Sequence, residues 1–547
     1  MKYRQNQNSI LALERTAKSR IRILSFCFLL SFIFQCEYKP KGDLNFLALV
    51  GSGLSTGTPS EGGIDSPSVA NPPAVQGSGD WLNEAYFKPS FVIGDSFYGN
   101  SVAVSGDTIV VGEYRENSNQ VGLTNGSAPA SSDISLFASG AAFVYRKVAG
   151  IWIQEAFLKA SNPSTNDNFG SSVSISGDTI VIGAPTNGAS GSAYVFVRNG
   201  STWSQEALLK SSNFGAGDHF GSSVDIDGDI IVVGAEWEDS SQNMVTNGNT
   251  ASADNSRTDS GAAYIFRRVA GTWTQEAYLK TPNPDNNDSF GSNVSISGET
   301  VVVGAFKEDS QSVTSNGTTA SPDNSKLESG AAYVFRRTAG QWNQEAFLKS
   351  SDLDSNDQFG KSVSISADSI VVGAALEDGA QDSVINGAGA SSSNLLGGSG
   401  AAYVFERTGT NWAQTAYLKA KNVQAGDQFG TSVAIEGDFI VVGAINESSG
   451  LSTISFGPLT TWDERCFQSG AAYMFRKSSG LWGEYAYFKA PNVGSGDSFG
   501  YSVALNGTRV VVGATQEASN QTTITNGPTA NTDDSMYRAG ASYAFQR

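Results

Sequence analysis

The sequence predicts an all-β fold, a seven-bladed β-propeller of four-stranded antiparallel blades. Two signatures, each present seven times, point to it. The first is an aromatic-Gly pair, whose aromatic residues are Tyr98, Phe169, Phe220, Phe290, Phe359, Phe429 and Phe499. The second is a Trp that opens a W-x-x-E-A-like segment, at Trp81, Trp152, Trp203, Trp273, Trp342, Trp412 and Trp482. Self-similar units that each contain four short strands are typical of propeller blades.

Residues 1–35 are predicted to be a signal peptide of the lipoprotein type. Six basic residues precede an apolar run from Ile23 to Phe34, which is too short to span a bilayer as a permanent helix. Cys36 follows, and it resembles the acylated Cys of bacterial lipoproteins. Because Phe34 and Gln35 are bulkier than the residues that usually precede such a Cys, an ordinary secretory signal is the alternative. We expect lipidation at Cys36 and an exported protein, anchored in the bacterial envelope at the outer membrane or cell surface.

Residues 36–80 are predicted to be a flexible tether, because Gly, Ser and Pro dominate after Leu54. The propeller is predicted to occupy residues 81–547.

Residues 172–210 show how one blade is read. Residues 172–176 alternate as S-V-S-I-S, and residues 179–184 form the β-branched run T-I-V-I-G-A. Residues 192–196 read S-A-Y-V-F, and residues 203–210 read W-S-Q-E-A-L-L-K. Tight turns containing Gly separate the first strand from the second and the third from the fourth. No window has a sustained 3.6-residue apolar period, so we expect almost no helix.

The two ends of the repeat region complement each other. It begins with an isolated fourth strand at residues 81–88 and finishes with a third strand at residues 540–545. Pairing the two completes the last blade and leaves no open sheet edge. We therefore predict that the N-terminal strand closes the ring.

The repeat F-G-x-S-V-x-I-x-G-D-x-I-V-V-G-A, followed by G-A-A-Y-V-F, resembles the FG-GAP repeat of integrin α-subunits and, more closely, its bacterial relatives. The resemblance implies a seven-bladed propeller at a cell surface with a role in adhesion. Integrin-type repeats often carry an Asp-x-Asp-x-Asp-Gly calcium loop, which residues 176–178 reduce to Ser-Gly-Asp, too few oxygens for six to eight ligands. We expect no cofactor and no metal site, with weak calcium binding by acidic clusters such as residues 285–288 as the alternative.

An Asp two residues before the Phe-Gly pair recurs in six repeats. These residues are Asp167, Asp218, Asp288, Asp357, Asp427 and Asp497. They would either form a ring of carboxylates around the channel mouth or cap tight turns by accepting backbone N–H bonds. We favour capping.

Strand directions place all variable loops on one face and all tight turns on the other. Asn-Gly pairs within the loops predict small hairpins lying on the loop face. Blade 2 lacks this insertion, and blade 6 carries an aromatic-rich one. Such asymmetry suits a binding face, and aromatic side chains on loops are common anchors. The predicted ligand-binding residues are Trp237, Glu238, Asp239, Phe456 and Trp462.

Composition favours a non-catalytic role. The formal net charge of −18 argues against nucleic acid as a partner, because phosphates would be repelled. His219 is the sole histidine, and no G-x-S-x-G or phosphate-binding loop is present. We expect a monomeric surface or periplasmic interaction module, not an enzyme. It would be adhesin-like, bind a protein or matrix ligand through its acidic loop face, and contact the membrane through its lipid anchor. The alternative is a glycan-binding or carbohydrate-active propeller.

Overall fold

The computed structural model describes residues 81–128, 130–318, 320–459 and 463–547. Within these ranges there are seven antiparallel sheets, and their innermost strands contact one another in a closed circle. The predicted all-β, seven-bladed propeller is confirmed. None of the described residues belongs to a helix, so these ranges contain no helix able to cross a membrane.

The strands follow the repeats of the sequence. The chain enters through β1 (Leu82–Phe87). Blade 1 contains β2 (Val102–Ser105), β3 (Thr108–Glu113), β4 (Thr124–Asn125), β5 (Ala141–Val148) and β6 (Ile151–Leu158). Blade 2 contains β7 (Ser172–Ser176), β8 (Thr179–Ala184), β9 (Ser192–Asn199) and β10 (Thr202–Leu209). Blade 3 contains β11 (Phe220–Asp227), β12 (Ile230–Ala235), β13 (Thr246–Asn247), β14 (Ala262–Val269) and β15 (Thr272–Leu279).

The remaining blades repeat the five-strand pattern. Blade 4 contains β16 (Asn293–Ser297), β17 (Thr300–Ala305), β18 (Ser315–Asn316), β19 (Ala331–Thr338) and β20 (Gln341–Leu348). Blade 5 contains β21 (Phe359–Ser366), β22 (Ser369–Ala374), β23 (Ile385–Asn386), β24 (Ala401–Thr408) and β25 (Asn411–Leu418). Blade 6 contains β26 (Phe429–Glu436), β27 (Phe439–Ala444), β28 (Ser455–Phe456), β29 (Ala471–Ser478) and β30 (Leu481–Phe488). Blade 7 contains β31 (Phe499–Asn506), β32 (Arg509–Ala514), β33 (Thr525–Asn526) and β34 (Ala541–Gln546), together with β1.

Six blades have five strands, where the sequence predicted four. The fifth is a two-residue strand that pairs with the outer edge of the fourth, as when Thr246 faces Tyr278 and Asn247 faces Ala277. Blade 2, whose loop between the second and third strands is short, keeps four strands. The loop therefore runs down the outside of the blade and adds a short extra ladder.

β1 closes the ring as predicted. It lies in blade 7 between β34 and β33, with Tyr86 paired to Tyr543 on one side and to Thr525 on the other. The first strand of the chain is therefore the fourth strand of the last blade, and neither edge of β1 is left unpaired.

The hydrophobic core lies between the blades. Every residue of β17 is buried. One layer packs Phe290, Val301 and Trp342 of blade 4 against Val232 and Ile265 of blade 3. Because each middle strand is covered on both sides, it contains an unbroken apolar run instead of an alternating pattern.

The glycines of the repeat permit close approach between neighbouring backbones. Gly291 of the Phe-Gly pair has φ of +92°, and a Cβ there would lie 2.1 Å from the Ala262 carbonyl oxygen of the previous blade. A Cβ on Gly304, at the end of β17, would lie 2.1 Å from the Gly360 carbonyl oxygen of the next blade. Ser223 on β11 donates to the Gly291 carbonyl at 2.8 Å. The repeat signature is thus a device for joining blades.

Candidate functional site

We call the side of the ring where first and third strands begin the loop face, and the opposite side, with the tight turns, the turn face. Beneath the loop face a buried ion pair fastens each long loop. In blade 3, Lys280 Nζ lies 2.9 Å from a Glu238 carboxylate oxygen and donates to the Ser260 hydroxyl at 2.8 Å. Tyr278 donates to the other oxygen of Glu238 at 2.8 Å. Glu238 is 1% exposed. It therefore anchors its loop from within, and a ligand on the surface does not reach it.

The same pair recurs in five other blades. The pairs are Lys88–Glu517, Lys159–Glu116, Lys349–Glu308, Lys419–Glu377 and Lys489–Glu447. In blade 2, Asn187 replaces the Glu, and Lys210 donates instead to the Gly191 carbonyl at 2.7 Å. Removing one partner of a buried pair costs about 3–5 kcal/mol, so these residues fix the loops in place.

The recurring Asp before each Phe-Gly pair caps a turn. Asp288 accepts the backbone N–H of Asp285 at 2.9 Å, and burial raises the pKa of Asp288 to about 8. The equivalent acceptors are Asp167, Asp218, Asp357, Asp427 and Asp497. These bonds confirm the capping interpretation. Within the described ranges no three His, Cys, Asp or Glu side chains are grouped as a metal site.

Among the predicted ligand-binding residues that the structure describes, Trp237 is the one that is exposed to solvent on the loop face. It is 42% exposed, and the His219 ring stacks on it with 3.7 Å between centroids. Glu236 lies beside this pair, 3.8 Å from His219 Nδ1. Asp239, by contrast, is half-buried and accepts the N–H of Asp259 at 2.9 Å. The three consecutive predicted residues thus have different environments.

Phe456 does not lie on the loop face. It belongs to β28 at the outer edge of blade 6, opposite Ala486, and its ring contacts Tyr485 edge-on with 6.3 Å between centroids. Cys36 and Trp462 lie outside the described residues.

The sequence predicted that the Asn-Gly segments form small hairpins on the loop face. This prediction is wrong, because these segments lie at the outer edge of the blades. Asn247 accepts the backbone N–H of Trp342 at 2.7 Å and donates to its carbonyl at 3.1 Å, so it joins blade 3 to blade 4. The equivalent pairs are Asn125–Trp203, Asn316–Trp412, Asn386–Trp482 and Asn526–Trp152. The side-chain amide imitates a strand edge, which explains why these insertions lie on the outside of the ring.

Sequence reasoning missed a cluster where blade 7 meets blade 1. Two guanidinium groups lie over three aromatic rings there, and we call the group the aromatic–arginine ladder; it consists of Tyr537, Arg538, Phe97, Arg115 and Tyr114. The Phe97 and Tyr114 rings also contact each other, with 5.6 Å between centroids. Arg538 Cζ lies 4.7 Å from the Tyr537 centroid and 5.9 Å from that of Phe97. Arg115 Cζ lies 5.1 Å from the Phe97 centroid and 5.5 Å from that of Tyr114. The sequence signal that could have revealed this cluster is that Phe97, Tyr114 and Arg115 of blade 1 differ from the residues at the equivalent positions of the other blades.

Exposed aromatic side chains occupy equivalent loop positions in three consecutive blades, and one of them, Tyr537, belongs to the ladder. The exposed fraction is 67% for Phe467 in blade 6, 62% for Tyr537 in blade 7 and 56% for Phe137 in blade 1. Tyr501 on β31 in blade 7 is also exposed. Three consecutive blades thus share an aromatic sector on the loop face.

Glu113 immediately precedes the ladder residues Tyr114 and Arg115. It is fully buried at a position where the other six blades have Ala. Within the described residues neither of its carboxylate oxygens has a partner of normal hydrogen-bond geometry. Burial raises its pKa well above the usual range, although the nearby Ser96 hydroxyl, which donates to the Ala539 carbonyl, acts to lower that pKa. Blade 1 is therefore specialised inside the ring as well as on its surface.

Six stretches of the chain match a known family. The family model described as FG-GAP repeat matches residues 152–196, 203–266, 273–335, 342–405, 412–455 and 482–545. No curated protein matches the chain significantly.

Proposed function

The chain belongs to the FG-GAP repeat family, and on that basis we propose that it is a non-catalytic, adhesin-like module that binds protein ligands through its loop face. A propeller of this family is in general a protein-interaction module. One observation supports the loop face in particular. Among the described residues, the exposed aromatic side chains lie on the loop face or the outer edge, whereas the exposed large side chains of the turn face are aliphatic, such as Ile151 and Leu481. Aromatic side chains and Arg dominate the energetics of protein interfaces.

The direction of β1 agrees with this proposal. β1 rises from Trp81 on the turn face to Lys88 on the loop face. The chain that precedes β1 therefore joins the propeller on the turn face and leaves the loop face free of that connection. We propose an exported protein, lipid-anchored at the outer membrane or cell surface. Metabolic labelling with a fatty acid tests the anchor: the wild-type chain should be labelled and Cys36→Ala should not.

Binding is tested by screening the chain against arrays of extracellular-matrix proteins and of glycans. We expect a protein ligand whose binding is weakened by Phe467→Ala combined with Tyr537→Ala. The matched control is Ile151→Ala combined with Leu481→Ala, which removes similar apolar area from the turn face and should leave binding unchanged. Equal effects of both pairs would contradict the proposal, as would an absence of protein ligands.

Glycan binding is the second candidate function, and the exposed side chain of Trp237 supports it. An exposed indole beside the Glu236 carboxylate is suited to stacking on a sugar ring and accepting its hydroxyl hydrogens. Binding confined to the glycan array and abolished by Trp237→Ala would favour this candidate over the first.

A further inference from the structure

The aromatic–arginine ladder has features of a recognition site. We propose that it binds a carboxylate of the protein ligand, carried by an Asp or Glu that is flanked by apolar side chains. The inference rests on the proposed function, because it names the chemistry of the segment that the loop face would recognise.

The two guanidinium groups of the ladder are short of partners. Within the described residues Arg115 has no hydrogen-bond acceptor and no ion-pair partner, and the buried Nε of Arg538 has no acceptor. The carboxylate nearest to Arg538 is that of Asp95, at 4.0 Å. By contrast, Arg268 on β14 contacts both Glu206 and Asp229. Because the Nε of Arg538 is buried, the donors available to a ligand are those of Arg115 and the terminal nitrogens of Arg538.

The aromatic rings orient the guanidinium N–H groups so that they can bind a planar anion. A guanidinium that lies over an aromatic ring keeps the N–H groups at its edge, in the fork geometry that binds a carboxylate through two hydrogen bonds. Phe97, the central ring, has φ of +58°, a conformation that is costly for a bulky residue. The equivalent residues of the other six blades have similar φ; they are Asn168, His219, Ser289, Gln358, Gln428 and Ser498. The backbone conformation therefore belongs to the repeat, and the phenyl ring is what distinguishes Phe97 at this position.

The charge of the protein and the exposed rings near the ladder limit the chemical class of ligand that the ladder can bind. The protein is acidic overall, so extended polyanions are repelled while a single carboxylate meets a local pair of positive charges. The exposed rings of Phe137, Phe467 and Tyr537 around the ladder would cover apolar neighbours of that carboxylate. A protein segment in which an isolated acidic residue lies among apolar ones provides both features.

The test uses random peptides displayed on phage and selected on the intact chain. We expect selected peptides to contain an Asp or Glu between apolar residues. Replacing that residue by Asn or Gln should weaken binding at least tenfold, as should the double variant Arg115→Gln, Arg538→Gln. The double variant Arg115→Lys, Arg538→Lys should fail similarly, because Lys keeps the charge but loses the stacked fork. A melting temperature equal to that of the wild type excludes misfolding.

Arg476→Gln is the matched control. Arg476 stacks on Phe439 and Tyr485, with Cζ at 5.7 and 5.6 Å from their centroids, but lies on the turn face. Its loss should not change peptide binding. Selection of peptides without acidic residues, or equal binding by the ladder variants, would overturn the inference. If the array identifies a protein ligand that the ladder variants still bind normally, the proposed function stands and this inference fails. Ladder-dependent binding of sulfated glycans alone would contradict both.

Discussion

At the scale of single residues, Glu113 has the least favourable environment of the buried carboxyl groups described above. Leaving a buried polar group without a hydrogen bond costs about 1–3 kcal/mol. We predict that Glu113→Ala, which restores the residue of the other blades, raises the free energy of unfolding by an amount of that order. Thermal melts of both proteins measure it. As a control, Glu116→Ala should destabilise the protein, because it leaves Lys159 buried and unpaired. A lower melting temperature for Glu113→Ala would contradict the prediction.

The capping aspartates make stability depend on pH. Burial raises the pKa to about 8 for Asp288, Asp357 and Asp497, whereas in the unfolded chain it lies near 3.8. Since the folded state binds these protons more tightly, their contribution is complete below pH 4 and is lost as the pH rises through 8.

We predict that the melting temperature falls by several degrees between pH 5 and pH 8.5. The double variant Asp357→Asn, Asp497→Asn should flatten this decline, because the amide oxygen still accepts the turn N–H but does not ionise. Melts across the pH range in both proteins provide the measurement. An unchanged slope in the variant would show that other groups cause the dependence.

At the scale of the elements, the short fifth strands join neighbouring blades at the outer rim. Asn247 makes two hydrogen bonds to the backbone of Trp342, each worth about 0.5–1.5 kcal/mol net. We predict that Asn247→Ala lowers the free energy of unfolding by about 1–3 kcal/mol in denaturant melts. Asn343→Ala, an exposed Asn on the adjacent β20, should have almost no effect. Equal effects of the two variants would remove the proposed role of the amide.

The long strands could be predicted from the sequence, and the fifth strands could not. Runs such as residues 300–305 are β-branched and apolar, so a buried strand is their simplest interpretation. A two-residue strand has no periodicity to detect, and Asn-Gly is equally suited to a turn tip. What distinguishes Asn247 is its bond to a residue of the next blade, which only the closed ring reveals.

The candidate site was predictable in part. Strand direction predicts that the variable loops share one face, and the exposure of Trp237 agrees with its predicted place there, while its role as a ligand contact stays a prediction. Glu238 was misjudged because an acidic residue in a polar loop is usually solvated, whereas here Lys280 pairs with it inside the blade. Phe97 and Arg538 are at opposite ends of the repeat region, and their stacking depends on ring closure.

At the scale of the whole molecule, closure depends on β1. It supplies the fourth strand of blade 7 and carries Lys88, whose side chain binds Glu517 at 2.8 Å. We predict that deleting residues 81–90 sharply lowers the unfolding temperature, because it removes a strand and leaves a buried Glu unpaired. Deleting residues 71–80, a segment of equal length in the predicted tether, should leave the melt unchanged. An unchanged melt after the first deletion would contradict the role of β1 as the closing strand.

We propose that the protein ligand binds the loop face around the junction of blades 7 and 1. Hydrogen–deuterium exchange of the chain, with and without the protein ligand found by array screening, locates the binding surface. Exchange in the bound state should slow at residues 95–98, 114–118 and 536–539, with no change at the turn-face segments 148–151 and 478–481. Protection of the turn-face segments, with the three loop-face segments unaffected, would contradict it.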